Sequence, residues 1–208
     1  MTFKKHPQWD LILSSRPEHE WLSLIVEHTP EDVKSMLVSS HPPTPARLKD
    51  LPWSNTADGG VLAWCTEAIG EQDSTEEKLY VYVGSASDCR GGLRIRKSHM
   101  LAQWSKPHDE ALKLKIKDLG LDSKGECKEL FIVPFENGFA GDVIHVRALV
   151  ILARVALMIW LGAGDEKLKR KTKDLVPWGL EDIEYVGLAG GNPLELEINE
   201  GNKQKGED

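Results

Sequence analysis

The chain is poor in cysteine. Its three, Cys65, Cys89 and Cys127, stand far apart with no Cys-x-x-Cys pair, which excludes a disulfide framework and the usual zinc spacings. It also lacks an excess of positive charge: 26 Lys and Arg against 33 Asp and Glu leave a formal net charge of −7. There is therefore no global basic field, and contact with nucleic acid has to come from a local patch. No Walker or Rossmann glycine pattern and no Gly-x-Ser-x-Gly elbow occurs. His6, His19, His28, His41, His108 and His145 form no ligand spacing. No charge-free apolar run approaches the ~20 residues of a membrane span. The nearest, Val143 to Leu161, is broken by His145, Arg147 and Arg154 and is expected to be a buried core helix. The first ten residues, MTFKKHPQWD, carry no secretory apolar run, so an intracellular protein, nuclear or cytoplasmic, is expected.

What is present is material for one sizeable core: 208 residues, 40% of them hydrophobic. Two short helices are expected first, around Pro17–Glu27 and Pro30–Val38. In the second, Thr29 can cap, Pro30 suits the first turn, and Glu31 and Asp32 favour the positive end of the dipole. His41-Pro-Pro-Thr-Pro45 cannot continue a helix, because each proline removes a donor and restrains the residue before it. Asp58-Gly59-Gly60 reads as a turn before a short strand, Val61–Trp64, and a polar loop, Glu67 to Lys78, follows. Leu79-Tyr-Val-Tyr-Val83 is a strand by its β-branched and aromatic content, with Ser85–Gly92 as the loop after it. Leu93–Trp104 and Pro107–Leu119 have helical period, the second closed by Gly120. Glu129–Pro134 reads as a third strand. Asp142 can cap the long apolar helix, which stops at Gly162-Ala-Gly164. Lys167–Lys173 is a basic run, Trp178–Leu188 is suited to dock on the core, and Glu195–Asp208 is an acidic tail.

Two strand-like segments, a glycine-rich turn and a helix with arginine and histidine then follow in order. Gly60-Val61-Leu62 and Tyr82-Val83-Gly84-Ser85-Ala86, followed by Gly91-Gly92-Leu93-Arg94-Ile95-Arg96-Lys97-Ser98-His99, resemble the motifs of the GIY-YIG nuclease superfamily, fungal members included. The resemblance covers about half of the chain. It implies an α+β fold with a small antiparallel sheet of about three strands flanked by helices, here with a helical N-terminal arm and a C-terminal extension. The corresponding division is 1–58 for the arm, 59–165 for the GIY-YIG-like domain, and 166–208 for the basic run, docking segment and tail. It implies an endonuclease acting on DNA phosphodiesters with one divalent metal, Mg²⁺ or Mn²⁺. In that family a glutamate holds the metal, an arginine steadies the phosphate, and a tyrosine or histidine helps activate water. Fixed positive groups are what the charge developing on phosphate oxygens requires.

Carried over residue by residue, the catalytic candidates are Tyr82, Arg96 and His99. Helical spacing separates the arginines: Arg96, His99 and Gln103 share one stripe, and Arg94 points elsewhere. Tyr82 alternates with Val81 and Val83 and so faces away from them. Gly84, Ser85, Arg94, Lys97 and Gln103 are the nucleic-acid-binding candidates. Arg90, Arg94, Arg96, Lys97, Lys106, Lys113, Lys115 and Lys117 supply a local basic patch, although a lysine-rich helix face is more often simply solvated.

The chain departs from the family at three points. His99 follows Arg96 by three residues where the family has four. Leu62 stands where the first motif has tyrosine, and leucine cannot accept a proton. Arg154 falls where the long helix should offer the metal-binding glutamate. Arginine has five donors, no acceptor and a permanent charge, so it cannot hold magnesium. Three readings stay open: a natural loss, an introduced inactivating change, or a different register in which Glu136 or Asp142 serves. Arg147 and Arg154, seven apart, share a stripe; the guanidinium at 154 could neutralise a phosphate without a cation, or equally pair with a carboxylate at the edge of the core. A catalytically inactive module that binds nucleic acid or a protein partner is thus the alternative to a metal-dependent nuclease.

Overall fold

In a computed structural model, the described residues are 5–53, 56, 58–68, 78–87, 91–101, 110–121, 125–134 and 143–195. Among them the chain forms eight α-helices and one four-stranded mixed sheet, an α+β arrangement. Four helices precede the sheet: α1 (Gln8–Ser14), α2 (Glu18–Glu27), α3 (Glu31–Leu37) and α4 (Pro45–Lys49). Two of these, α1 and α4, were not legible in the sequence. The proline segment does stop α3, but its last proline takes the first position of α4, with Thr44 accepting from the Arg47 amide at 3.3 Å. The cap expected at Thr29 is also corrected. Thr29 is buried and donates to the Ile25 carbonyl at 2.6 Å, so its hydroxyl serves the helix behind it, and Pro30 stands at the start of α3 without a side-chain cap.

The sheet consists of β1 (Gly59–Glu67), β2 (Leu79–Ala86), β3 (Glu126–Val133) and β4 (Val186–Gly187) in the order β3-β1-β2-β4. The antiparallel sheet of about three strands is therefore corrected to four, because β4 pairs parallel with β2. All three long strands outrun their sequence estimates. Gly59 and Gly60 belong to β1, not to a turn, and β2 continues through Gly84 and Ser85. Gly60 tolerates the strand interior because the space a Cβ would take is filled: an added carbon would lie 2.2 Å from the Phe131 carbonyl oxygen and 2.8 Å from the Leu93 side chain.

Helix α5 (Gly92–Leu101) starts against the segment leading into β1, where its first amides find carbonyl partners. The Leu93 amide donates to Asp58 at 2.9 Å and the Arg94 amide to Thr56 at 2.7 Å. Helix α6 (Glu110–Asp118) ends at Gly120 in the left-handed region, φ 60°. Helix α7 (Val143–Trp160) is long and apolar enough to cross a membrane by length and composition; here it packs on β1, β2 and β3 and buries Val146, Ala148, Leu149, Val150, Ala153, Leu157 and Met158. It ends at Gly162, also φ 60°, where the Ala163 amide returns to Met158 at 3.0 Å. Asp142, the expected cap, lies outside the described residues.

The basic run forms α8 (Glu166–Thr172), capped by Asp165, whose carboxylate accepts from the Leu168 amide at 3.0 Å. Burial pushes the Asp165 carboxyl up, but the Leu168 amide and the Lys115 ammonium at 3.1 Å outweigh it and hold the group below its usual range. Lys115 also donates to the Leu188 carbonyl, tying α6 to the segment that follows α8. That segment packs on the core through Tyr185, Leu188 and Ala189, with the Tyr185 hydroxyl donating to the Leu161 carbonyl. One cluster of buried residues runs from Trp9, Trp21 and Leu48 through the sheet to Leu188, so helices from both ends share the core of β1–β3.

Candidate functional site

Strand pairing sets the floor of the site. Tyr82 on β2 lies opposite Trp64 on β1, and Trp64 lies opposite Cys127 on β3; one step along, Leu62 lies opposite Gly84. Paired residues share a face of the sheet. Leu62 and Trp64 are fully buried, so the leucine at the position the resemblance assigns to a tyrosine is a core side chain. Gly84 leaves room for what sits above it: a Cβ there would come within 2.9 Å of the Tyr82 ring and 3.8 Å of Arg96 Nε.

Two guanidinium groups meet at the Tyr82 hydroxyl. Arg96 reaches it from α5, Nη2 to oxygen 3.5 Å, and Arg154 from α7, Nη2 to oxygen 3.4 Å. The Arg154 guanidinium also lies 5.9 Å from the centre of the tyrosine ring. Both hydrogen bonds are longer than the ~2.7–3.2 Å of strong N–H···O bonds, so the hydroxyl holds the two guanidinium groups only loosely. The Nε of Arg154 is buried and has no hydrogen-bond partner among the described residues. With both Nη2 atoms within 3.5 Å of one oxygen, those two nitrogens stand no more than about 7 Å apart. Like charges at that separation repel by on the order of 2 kcal/mol at an effective dielectric of 20, and an anion between them turns that repulsion into attraction.

The other sequence candidates separate. Arg94 is exposed on the far side of α5, and its described contact is through its backbone amide. Ser85 is half-buried at the rim of β2 opposite Val61. Lys97 turns away from Tyr82 to Trp53, its Nζ 4.6 Å from the ring centre. Gln103, Glu136 and the side chain of His99 lie outside the described residues. Trp53 itself was missed. A lone tryptophan after Leu51-Pro52 sits in no periodic pattern, and only its bridge to Lys128 on β3 reveals its place beside the sheet.

A divalent metal does not fit the residues here. The position the resemblance assigns to a glutamate holds Arg154, a donor-only side chain turned toward Tyr82. Among the described residues no three His, Cys, Asp or Glu side chains gather into a cluster, although the family's metal rests on a single glutamate.

Cys127 is buried beneath α5. Burial pushes its thiol up to about 11, against the pull of Lys97 and Arg96, and pushes Cys65 up to about 12. Both thiols are protonated at neutral pH in the folded and unfolded chain alike. Their stability contribution is complete below the ordinary thiol value of 9.0 and is lost as pH rises toward the folded values. Urea titrations at rising pH are expected to lose up to about 1.4 kcal/mol per thiol per pH unit above 9. Cys65→Ala with Cys127→Ala should flatten that alkaline slope.

Compared with protein-family models, with curated proteins and with solved structures, the chain matches none. The GIY-YIG resemblance therefore rests on the motif residues themselves.

Proposed function

We propose that the protein is a GIY-YIG-like nucleic-acid-binding module that grips a backbone phosphate with Arg96 and Arg154 and does not cleave it. The observation that carries this reading is the convergence of the two guanidinium groups on the Tyr82 hydroxyl; the resemblance adds that Arg154 falls where the family has its metal-binding glutamate. Guanidinium forks match phosphate oxygens in pairs and stay charged at any physiological pH. Tyr82 bonds both forks, and Gly84 leaves the space that the tyrosine ring takes. The basic residues of α5 and α6 would give the complex its sensitivity to salt.

The nuclease reading requires a carboxylate other than position 154, such as Glu136 or Asp142, which lie outside the described residues. Fluorescence anisotropy with labelled DNA across a salt series, run beside a plasmid-nicking assay with Mg²⁺ and Mn²⁺, tests the proposal. Binding that weakens with salt, falls about tenfold in Arg96→Ala, and is accompanied by no nicking is the expected result. Nicking that Arg96→Ala abolishes would establish the nuclease instead, and no binding at low salt would refute both.

A further inference from the structure

Trp53 is 54% exposed, yet it is not free to swing. Its backbone bridges to Lys128 on β3, and the neighbouring Pro52 carbonyl accepts from the Glu129 amide at 3.0 Å. Two ammonium groups attend the ring, Lys97 Nζ at 4.6 Å and Lys128 Nζ at 5.5 Å from its centre. Lys128 is itself 3% exposed and ion-paired to Glu126 at 2.8 Å, so it belongs to the sheet and anchors the indole from within. The ring is thus a large apolar surface held at the edge of the sheet, facing solvent beside positive charge, on a chain whose net charge is −7.

Adjacent residues of α5 connect this ring to the two-arginine site. Arg96 reaches across to Tyr82 on β2, while Lys97 reaches to Trp53 beside β3. Cys127, between them on β3, is close enough to both that each opposes its upward shift. Trp53 pairs with Lys128 at the β3 edge of the sheet, on the face opposite Cys127 and Tyr82, so Lys97 of α5 is what links the ring to the two-arginine site. An exposed aromatic ring beside a cation is an arrangement that suits unpaired bases, because every base offers a π-face to stack while cations follow the phosphates. A base inside a duplex has its faces covered by its neighbours and cannot use the ring.

We infer that the ligand of this site is single-stranded nucleic acid, one unpaired base stacking on Trp53 while the adjoining backbone runs over Lys97 toward Arg96 and Arg154. This inference rests on the phosphate-binding reading above and adds the strandedness of the ligand. A protein partner would be drawn to the exposed indole as well, but it gains less from the neighbouring Lys97 than a polyanion does.

The test is anisotropy with labelled oligothymidylate and with the same strand annealed to oligoadenylate, using the whole chain. The single strand is expected to bind at least tenfold more tightly than the duplex. Trp53→Ala should cost the single strand about tenfold and leave duplex affinity within about twofold, and Trp53→Phe should restore most of the loss. Because Trp53 lies at the surface, an unchanged thermal transition separates lost stacking from lost folding. If both forms bind equally and Trp53→Ala changes neither, the stacking inference is overturned while phosphate binding stands. If neither form binds at low salt, both readings fail together.

Discussion

Gly60→Ala should destabilise the protein by more than about 3 kcal/mol, read as a fall in the urea midpoint at constant m-value. An added methyl group would stand 2.2 Å from the Phe131 carbonyl oxygen. Backbone cannot move aside as a side chain can, so β1 and β3 must part where Gly60 pairs with Ile132, next to the irregularity at Val61 and Leu62. The second obstacle, the Leu93 side chain at 2.8 Å, lies in the first turn of α5, so the strain reaches the helix that carries Arg96. Gly120→Ala is the informative comparison. Nothing lies within 4 Å of a Cβ there, and only the φ of 60° opposes the change, so a loss of about 1–2 kcal/mol is expected. Equal losses at the two positions would mean that the close approach to Phe131 is not what requires glycine in β1.

Arg154→Glu should lower DNA affinity more than a hundredfold, against about tenfold for Arg154→Ala. The alanine change removes one guanidinium from the pair at Tyr82; the glutamate change also places an anion where the phosphate would sit and gives Arg96 a competing partner. Charge-assisted hydrogen bonds are worth about 1.5–3 kcal/mol each, so losing one and opposing the other reaches the expected factor. Anisotropy in EDTA measures the loss. Repeating it with Mg²⁺ asks whether a carboxylate at 154 recruits a cation that re-bridges the phosphate; recovery specific to Arg154→Glu and absent in Arg154→Gln would tie this position to the metal glutamate of the GIY-YIG family. Unchanged affinity in both Arg154→Ala and Arg154→Glu would remove the phosphate role of this arginine.

Local periodicity made several parts of this legible. Alternation along β2 separates Tyr82 from Val81 and Val83, and helical spacing sends Arg96 and Arg94 of α5 in different directions, because both depend on residues only a few positions apart. Gly120 and Gly162 mark helix ends for the same reason: a left-handed residue is a local requirement. The extra reach of β1 through Gly59 and Gly60 was not legible. Two glycines read as a turn unless the carbonyl of Phe131, some seventy residues on, is known to lie against one of them. Thr29 misled in a similar way, since a threonine before proline can cap forward or bond backward and its burial decides which.

The sequence alone determined the α+β character, the order of the long strands and main helices, and the long core helix. Only the tertiary structure decided that β4 joins β2 in parallel, that Arg154 meets Tyr82 across 72 residues of chain, and that Trp53 stands exposed beside Lys97 and Lys128. The division has a physical cause. Secondary structure follows from side-chain spacing within a turn or two. A contact between distant segments depends on how whole faces pack, and that leaves no period in the sequence to read.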